Sequence, residues 1–327
     1  MTDARRVHEG LRWAWTFLAA AGLLIEASTA HPATLYVTNT KSGTISVIDT
    51  EKFKVIHTID LGSGKPNRVV FHPDGKTAWV VYDTSHDIGI VDAESRRLVK
   101  RIKVGQNPYN LAFSPDGRYC YVLDWPGNDE VIIYDLKAER IDGRVEVSTW
   151  PAHAVFTPDG KIIYVSSETA GNVAAIDTKS RKIVATMWTG GDAMGLALTA
   201  DGKTLYAANG EERSVTKIDT TTNTTIGTIP LPGIVHEATL TLDGQFLYTS
   251  LRKANTVVVV RLSDEKVVTQ IPQLRWPDLV VMEPTGHYAF VTNRHADAVT
   301  VLDVKNHKMM KAILVGKAPH GMAIRPR

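Results

Sequence analysis

Imidazole and carboxylate side chains recur at a fixed interval in the C-terminal part of the chain. His236, Asp278 and His320 follow one another 42 residues apart, and Glu237 adjoins the first of them. If folding brings these groups to one opening, they suit a transition metal or acid–base work at a bound ligand. The alternative is that the histidines hydrogen-bond to neighbouring strands, because no short metal-binding motif contains them.

A repeat of similar length supplies the frame for these side chains. Turn positions fall at intervals of 42, 43, 42, 42, 42 and 42 residues, at Pro73, Pro115, Pro158, Ala200, Leu242, Pro284 and Pro326. Three of them open the sequence Pro-Asp-Gly, which is typical of a tight turn between antiparallel strands. An internal period of this length indicates a repeat architecture.

Each unit contains four short stretches rich in aromatic and β-branched residues, which predicts a β-propeller blade and not a helical repeat. The last unit ends after its first strand, at residues 321–324, and residues 35–37, 45–49 and 54–56 supply three more strands. We therefore predict an all-β fold: a seven-bladed β-propeller with four antiparallel strands per blade. Its ring is closed by N-terminal strands that complete the C-terminal blade, so that no edge strand is left unpaired.

The first thirty residues differ in composition from the rest. Arg5 and Arg6 precede an apolar run at residues 13–25, and small residues follow at 28–30. This order predicts a secretory signal peptide at residues 1–30 and a single propeller domain at residues 31–327, with a periplasmic or secreted location. An uncleaved N-terminal anchor is the alternative, although the run is shorter than the roughly 20 residues of a membrane span. We expect no transmembrane segment once the signal is removed.

The second strand of two units carries a recognisable tetrad. Tyr36-Val37-Thr38-Asn39 and Phe290-Val291-Thr292-Asn293, together with the Pro-Asp-Gly turns, resemble the YVTN β-propeller family of bacteria and archaea across essentially the whole mature chain. The resemblance implies a seven-bladed propeller that is commonly exported. It does not imply one activity. Similar propellers serve as interaction surfaces, nucleic-acid binders, lactonases and cofactor-bearing domains of periplasmic nitrite reductases.

Positions that differ between repeats are candidates for function, because a residue shared by all blades is structural. The start of each first strand is expected to line the central channel, and there the repeats differ. This comparison and the loops beside it predict a ligand-binding set of Arg68, Tyr109, Asn110, Trp125, Trp150, His153 and Trp276. The same comparison places the candidate metal ligands His236, Glu237, Asp278 and His320 at the channel mouth.

Trp125, Trp150 and Trp276 each precede a proline, in loops predicted at that same face. A tryptophan held on a stiff loop offers a rigid apolar plate that can stack on a flat ligand or anchor a protein partner. The alternative is that each ring packs over the adjacent blade. Arg252, with other charged loop residues, is expected to lie on the solvated rim.

The overall charge of +2 gives no indication of nucleic-acid binding. The sequence also lacks a Gly-x-Ser-x-Gly elbow, a phosphate-binding glycine loop and a His-Glu-x-x-His motif. We therefore predict an exported, monomeric binding or scaffold propeller that presents its channel face to a protein partner or small ligand. One alternative is a periplasmic redox protein with a transition metal or a flat redox cofactor at the channel mouth. Another is a propeller lactonase, with a metal and an acid–base residue such as Glu237.

Overall fold

A computed structural model describes residues 33–125 and 127–326. Their regular structure consists of 28 β-strands arranged in seven four-stranded sheets. Within these residues no helix is long and apolar enough to span a membrane. The predicted signal peptide at residues 1–30 lies outside the described residues.

Each sheet is one blade, and its four strands follow one another from the channel outwards. Blade 1 contains β4 (Pro66–Phe71), β5 (Thr77–Tyr82), β6 (Ile88–Asp92) and β7 (Arg97–Ile102). Blade 2 contains β8 (Pro108–Phe113), β9 (Tyr119–Asp124), β10 (Glu130–Asp135) and β11 (Arg140–Glu146). Blade 3 contains β12 (Pro151–Phe156), β13 (Ile162–Ser167), β14 (Asn172–Asp177) and β15 (Lys182–Trp188). Blade 4 contains β16 (Ala193–Leu198), β17 (Thr204–Asn209), β18 (Ser214–Asp219) and β19 (Thr224–Pro230). Blade 5 contains β20 (Glu237–Leu240), β21 (Phe246–Leu251), β22 (Thr256–Arg261) and β23 (Lys266–Ile271). Blade 6 contains β24 (Pro277–Met282), β25 (Tyr288–Asn293), β26 (Ala298–Asp303) and β27 (Lys308–Leu314).

Blade 7 joins the two ends of the described chain. It contains β28 (Pro319–Ile324), β1 (Thr34–Asn39), β2 (Thr44–Asp49) and β3 (Lys54–Asp60), in that order from the channel outwards. Strand β28 pairs antiparallel with β1, with Tyr36 opposite Ala323. The first strands of neighbouring blades contact one another all the way round, including β28 with β4. The predicted all-β, seven-bladed ring and the way it closes are both confirmed.

The repeated turn sequences take the backbone shape expected of them. Gly75 and Gly117 have positive φ angles of 67° and 68°. The amide of Gly75 donates to the carbonyl of His72 at 2.9 Å, which closes the turn between β4 and β5. Glycine reaches this part of backbone space without the steric cost that a Cβ brings. Each repeated turn therefore follows the C-terminal end of a first strand. The channel-mouth residues lie at the N-terminal end of the same strand.

The hydrophobic core is distributed between blades. One cluster combines Tyr36 and Val47 of blade 7 with Val69 and Phe71 of blade 1, and the rings of Tyr36 and Phe71 meet edge to face at 4.8 Å. Because each blade covers its neighbour, burial of apolar surface stabilises the ring and not the isolated sheet. The polar residues at the channel are thus held by a rigid apolar layer outside them.

Hydroxyl groups on the second strands connect the blades close to the channel. The hydroxyl of Thr38 accepts a hydrogen bond from the amide of Gly321 at 2.8 Å and donates to the carbonyl of Asn67, in the next blade, at 2.6 Å. Ser166, Ser250 and Thr292 donate in the same way to the carbonyls of Met194, Asp278 and His320. The threonine of the YVTN tetrad therefore fixes the backbone of the next blade at the channel mouth.

Candidate ligand site at the channel mouth

The candidate residues lie where the first strand of each blade leaves the regular ladder. The register between first and second strands shifts between Pro66 and Val69 in blade 1, and between Pro277 and Val280 in blade 6. Arg68 and Asp278 fall inside these shifts. Similar shifts occur at the starts of β8, β12 and β16 and in the pairing of β28. A bulge redirects side chains locally, so consecutive residues at the start of a first strand need not alternate between the two faces of the sheet.

Glu237 reaches across the channel from blade 5. Its carboxylate lies 3.8 Å from the guanidinium of Arg68 in blade 1 and 4.0 Å from Nε2 of His153 in blade 3. Gly195 makes room for it, since a Cβ at that position would lie 2.4 Å from the glutamate Oε1. The amide of Ala238 donates to the same Oε1 at 3.2 Å. Only 5% of the Glu237 side chain is exposed.

Asp278 is the centre of a second charged group on blades 5 to 7. Its side chain is fully buried and forms ion pairs with Arg252, through Nε and Oδ1, and with Arg294 at 3.6 Å. Nε2 of His320 lies 3.8 Å from Oδ2 of the same carboxylate. Two guanidinium groups thus surround one carboxylate, a geometry that compensates the cost of burying its charge.

Burial sets the protonation states of these groups. It raises the pKa of Glu237 to about 7, against the opposing effect of Arg68. Burial, together with the positive charge of Arg68, lowers the pKa of His153 to about 3. Burial also lowers the pKa of His236 and of His320 well below the usual histidine value, and nearby arginines act in the same direction. The three imidazoles are therefore neutral near pH 7, and each can both donate and accept a hydrogen bond.

Several of these buried polar atoms lack a hydrogen-bond partner within the described part of the chain. Nδ1 of His153, Nε of Arg68 and Oδ2 of Asp278 are in this state, although Oδ2 keeps its longer ion pair with Arg294. Both ring nitrogens of His236 and of His320 also fall outside hydrogen-bond geometry, while backbone groups of Asp278 and Asn67 lie close enough to raise the pKa of the two imidazoles slightly against the effect of burial. Buried polar groups in folded proteins are nearly always paired with protein, ordered water or ligand. They are concentrated beside the channel mouth, where almost none of their surface is open to solvent.

Aromatic rings extend this site towards the surface. Tyr109 contacts Trp125 with ring centroids 4.5 Å apart, and Trp125 stacks on Trp150 at 4.6 Å with an interplanar angle of 21°. Burial raises the pKa of Tyr109, and the positive charge of Arg68 at the channel acts in the opposite direction. Trp276 lies apart from this row and stacks on His295 at 5.0 Å. Trp150 is 37% exposed, so the row ends at solvent.

The structure thus divides the predicted set into groups. Arg68, His153 and Glu237 come together, Asp278 and His320 come together, and Tyr109, Trp125 and Trp150 form the row. Asn110 uses its side-chain amide to donate to the carbonyl of Ala152 at 3.0 Å, so it links blades 2 and 3. The described residues contain no cluster of three or more His, Cys, Asp or Glu side chains arranged to hold a metal ion.

The comparison of first strands alone did not identify four charged residues of the site. Arg252, expected on the solvated rim, and Arg294 form ion pairs with Asp278. Burial raises the pKa of Glu168, and neighbouring groups desolvate Asp83 enough to raise its pKa although that residue is exposed; Arg68 acts against both shifts. All four follow the second strand directly. The equivalent positions in blades 7 and 1 to 6 hold Thr40, Asp83, Trp125, Glu168, Gly210, Arg252 and Arg294. A comparison of the repeats at the residue after the second strand, and not only at the first strand, would have identified these four residues.

Seven four-stranded blades around a polar channel mouth define the class: a seven-bladed β-propeller. The chain belongs to the YNCE-like beta-propeller family, whose sequence model matches residues 12–325. This agrees with the resemblance to YVTN propellers seen in the tetrads and turns. No curated protein matches the chain.

Two solved structures show the same fold at low sequence identity. Hydrazine synthase from Kuenenia stuttgartiensis has a TM-score of 0.69 and 21% identity, over 78% of this chain and 88% of that chain. A functionally unknown protein from Desulfotomaculum acetoxidans DSM 771 has a TM-score of 0.77 and 15% identity, over 90% of this chain and 99% of that chain. At these identities the likeness concerns the fold alone.

Proposed function

We propose that this protein is an exported binding protein whose channel mouth holds a small ligand. The observation that carries the proposal is the set of buried, unpartnered polar atoms on His236, His320, His153, Arg68 and Asp278 among the described residues. They come from different blades and are closed off from solvent, so a ligand that reached them would be enclosed and would supply hydrogen-bond partners that the described residues do not. Ligand sites commonly combine a preformed recess with a few convergent polar groups.

The charges of the site favour such a ligand over a metal ion. Arg252 and Arg294 both pair with Asp278, and Arg68 lies 3.8 Å from Glu237. A divalent cation would have to displace these guanidinium groups from the carboxylates and then lie beside them, which is electrostatically unfavourable. The lactonase, and the redox protein in its metal-binding form, need a metal ion at this place and are therefore less well supported than binding.

Composition and the N-terminal residues support an exported location. The sequence pattern of residues 1–30 is that of a secretory signal peptide, and a periplasmic or secreted protein of this kind would meet ligands or partners outside the cytoplasm. We propose a monomer that acts without nucleic acid. A protein partner at the channel face, docked on Trp150 or Trp276, is the second kind of occupant, and binding experiments distinguish it from a small ligand.

The test starts from protein isolated from its native compartment. We expect no stoichiometric metal and no visible absorbance, and a small molecule released on denaturation and detected by mass spectrometry. The variant Arg68→Met should lose that molecule. The control Arg118→Met removes an exposed guanidinium that pairs with Asp135 at the opposite end of its blade, and it should retain the molecule.

Other results would assign a different function. One metal ion per chain, lost in the variant His236→Ala/His320→Ala, would favour the redox protein, and turnover of a simple lactone with that metal would favour the lactonase. Binding that survives both histidine changes and is lost in Trp150→Ala or Trp276→Ala would indicate a protein-partner surface.

A further inference from the structure

The buried centre of the channel mouth holds more positive than negative side chains. Three guanidinium groups lie here beside two carboxyl groups: those of Arg68, Arg252 and Arg294, and those of Asp278 and Glu237. No more than 29% of any of these five side chains is exposed. Charges that are withdrawn from water are normally paired, so this excess of positive charge favours the binding of a counter-ion.

The three arginines also keep unused hydrogen-bond donors. A guanidinium group has five N–H donors. Arg252 donates from Nε to Oδ1 of Asp278, and Arg294 reaches Oδ2 of that carboxylate only at 3.6 Å, beyond hydrogen-bond distance. Arg68 lies 3.8 Å from the Glu237 carboxylate, and its buried Nε has no partner in the described part of the chain. Such donors suit the oxygen acceptors of an anion.

The three guanidinium groups face one part of the mouth, although they come from blades 1, 5 and 6. Burial raises the pKa of Asp278 and lowers that of His320, and the charges of all three arginines act to lower both pKa values. Nε2 of His320 lies 3.8 Å from Oδ2 of Asp278. The strands of His320 and Arg68 are in close contact, since a Cβ added at Gly321 would lie 2.7 Å from the Cα of Arg68.

Two further acids at the mouth do not cancel the positive excess. Asp83 is exposed and Glu168 is partly exposed, so solvent screens their charges. Among the residues that the structure describes, neither of them forms an ion pair with the three arginines. A cationic ligand would add to the buried positive charge, and a neutral ligand would leave it uncompensated. The charge balance therefore selects an anion.

We infer that the channel mouth binds an anion, through a carboxylate or another oxyanion group held by Arg68, Arg252 and Arg294. The inference rests on the proposed function and names its ligand class. His320 is neutral and can donate a further hydrogen bond to the anion. Glu237 is an internal competitor, because its own carboxylate faces Arg68 across the channel.

The test measures binding to the mature protein by calorimetry, at pH 8 in a chloride-free buffer of low ionic strength. The anionic probes are acetate, succinate, sulfate and phosphate, which together show whether a carboxylate or a more highly charged oxyanion is preferred. Acetamide is the neutral counterpart of acetate, and choline represents cations. We expect at least one anion to bind, and acetamide and choline to show no binding.

Two kinds of variant should change anion binding in opposite directions. Arg68→Met and Arg294→Met should each weaken it at least tenfold, the effect of losing one hydrogen bond from a charged donor. Arg294 is partly exposed in a loop, so its variant serves if Arg68→Met does not fold. Glu237→Gln should tighten anion binding about tenfold, because it removes a competing negative charge from beside Arg68. A purely structural role of Glu237 would give no such gain.

The control is Arg261→Met, which removes an exposed guanidinium that pairs with Asp264 at the end of β22 and should leave anion binding unchanged. Anion binding that is equal in wild type and both arginine variants would overturn the inference. Acetamide binding as tight as that of acetate, or no gain in Glu237→Gln, would also overturn it. If no anion binds but native protein releases a neutral molecule, the ligand class is wrong and the proposed binding function stands. If native protein also releases no small molecule, both fail.

Discussion

The carboxyl group of Glu237 occupies a slot that exists because residue 195 is glycine. A Cβ at Gly195 would lie 2.4 Å from the glutamate oxygen, so no other residue type leaves this position open without movement. Arg68 and His153 face the carboxyl group at distances longer than a direct hydrogen bond. The result is an acid buried beside neutral imidazoles, whose pKa of about 7 places its titration in the physiological range.

This pKa predicts how Glu237 affects stability. In the unfolded chain the group ionises near pH 4.5, whereas in the folded chain it holds its proton until about pH 7. The folded state therefore binds more protons across this window, and the contribution of Glu237 to the free energy of unfolding falls as pH rises. Glu237→Gln should remove that fall. Between pH 4.5 and pH 7 the unfolding free energy of the variant, relative to that of the wild type, should therefore rise by roughly 3 kcal/mol.

Urea unfolding of both proteins across this pH range measures the difference. The histidines act in the opposite sense, because their depressed pKa values make stability fall as pH drops below about 6.5. His236 and His320 contribute to both proteins alike, whereas His153 lies 4.0 Å from the substituted group and is compared above pH 4.5, where its imidazole stays neutral. Parallel curves for wild type and Glu237→Gln would contradict the pKa and hence the tight burial of this carboxyl group.

At the scale of the strand, the links between blades explain the family tetrad. The hydroxyl of Thr292 accepts from the amide of Leu279 and donates to the carbonyl of His320, both at 3.1 Å. Blade 4 has Ala208 in the equivalent place, and there the amide of Gly195 donates directly to the carbonyl of His236 at 3.2 Å. Five blades thus fix the channel backbone of the next, four by a hydroxyl group and blade 4 by closer backbone approach, whereas blades 1 and 2 carry Val81 and Leu123 in this place.

Thr292→Val should cost about 1–2 kcal/mol of unfolding free energy, because the near-isosteric change removes both hydrogen bonds and leaves a buried amide and carbonyl unpaired. Thr249→Val is the matched control. Thr249 is fully buried on the second strand of the neighbouring blade, and its hydroxyl has no partner among the described residues. This change should be neutral or stabilising. Equal losses in the two variants, measured by urea unfolding, would rule out the role given to the tetrad threonine.

At the scale of the whole molecule, stability depends on the seam between blades 7 and 1. Strand β28 reaches the channel only because Gly321 lets it approach β4, and a Cβ there would lie 2.4 Å from the carbonyl oxygen of Asn67 and 2.7 Å from the Cα of Arg68. The same approach holds Arg68 in position for the channel. Ring closure and the ligand site therefore share one contact.

Gly321→Ala should lower the free energy of unfolding by about 1–3 kcal/mol, since an added methyl group must push two backbones apart. It should also weaken ligand binding, because Arg68 moves with its strand. Gly227→Ala is the control: Gly227 lies on the outer strand β19, where a Cβ would approach no atom closer than 4.0 Å. Thermal unfolding compares the two, and a seam variant as stable as the control would show that the ring does not need this approach.

The sequence predicted the ring because its information is periodic. Turn glycines, the tetrads and the incomplete last unit define blade number and closure without reference to any side-chain conformation. The same comparison of repeats found Arg68, His153 and Glu237. It could not show that Glu237 crosses the channel, because that depends on the space left by Gly195 in another blade. It also grouped Glu237 with His236 as neighbours in sequence, whereas in the fold the carboxyl group faces Arg68 and the neutral imidazole of His153.

Arg252 shows a second reason why part of the site escaped prediction. A charged residue in a loop is usually solvated, and nothing in its own repeat indicates otherwise. Only the three-dimensional neighbour, the buried Asp278 of the next blade, gives the arginine its role. The chemistry of the mouth therefore depends on pairs formed between repeats, and a period detected along the chain does not specify such pairs.

Because blade 7 contains strands from both ends of the described chain, the chain could be opened in another blade without loss of a sheet. The amide of Arg325 donates to the carbonyl of Thr34 at 2.9 Å, so the described ends lie side by side. A short linker between residues 33 and 326, with a new opening at the exposed turn of Asp201 and Gly202, would give a circularly permuted protein with all seven sheets intact. In that protein, blade 4 would be completed by strands from both new ends, and β28 and β1 would form a continuous hairpin.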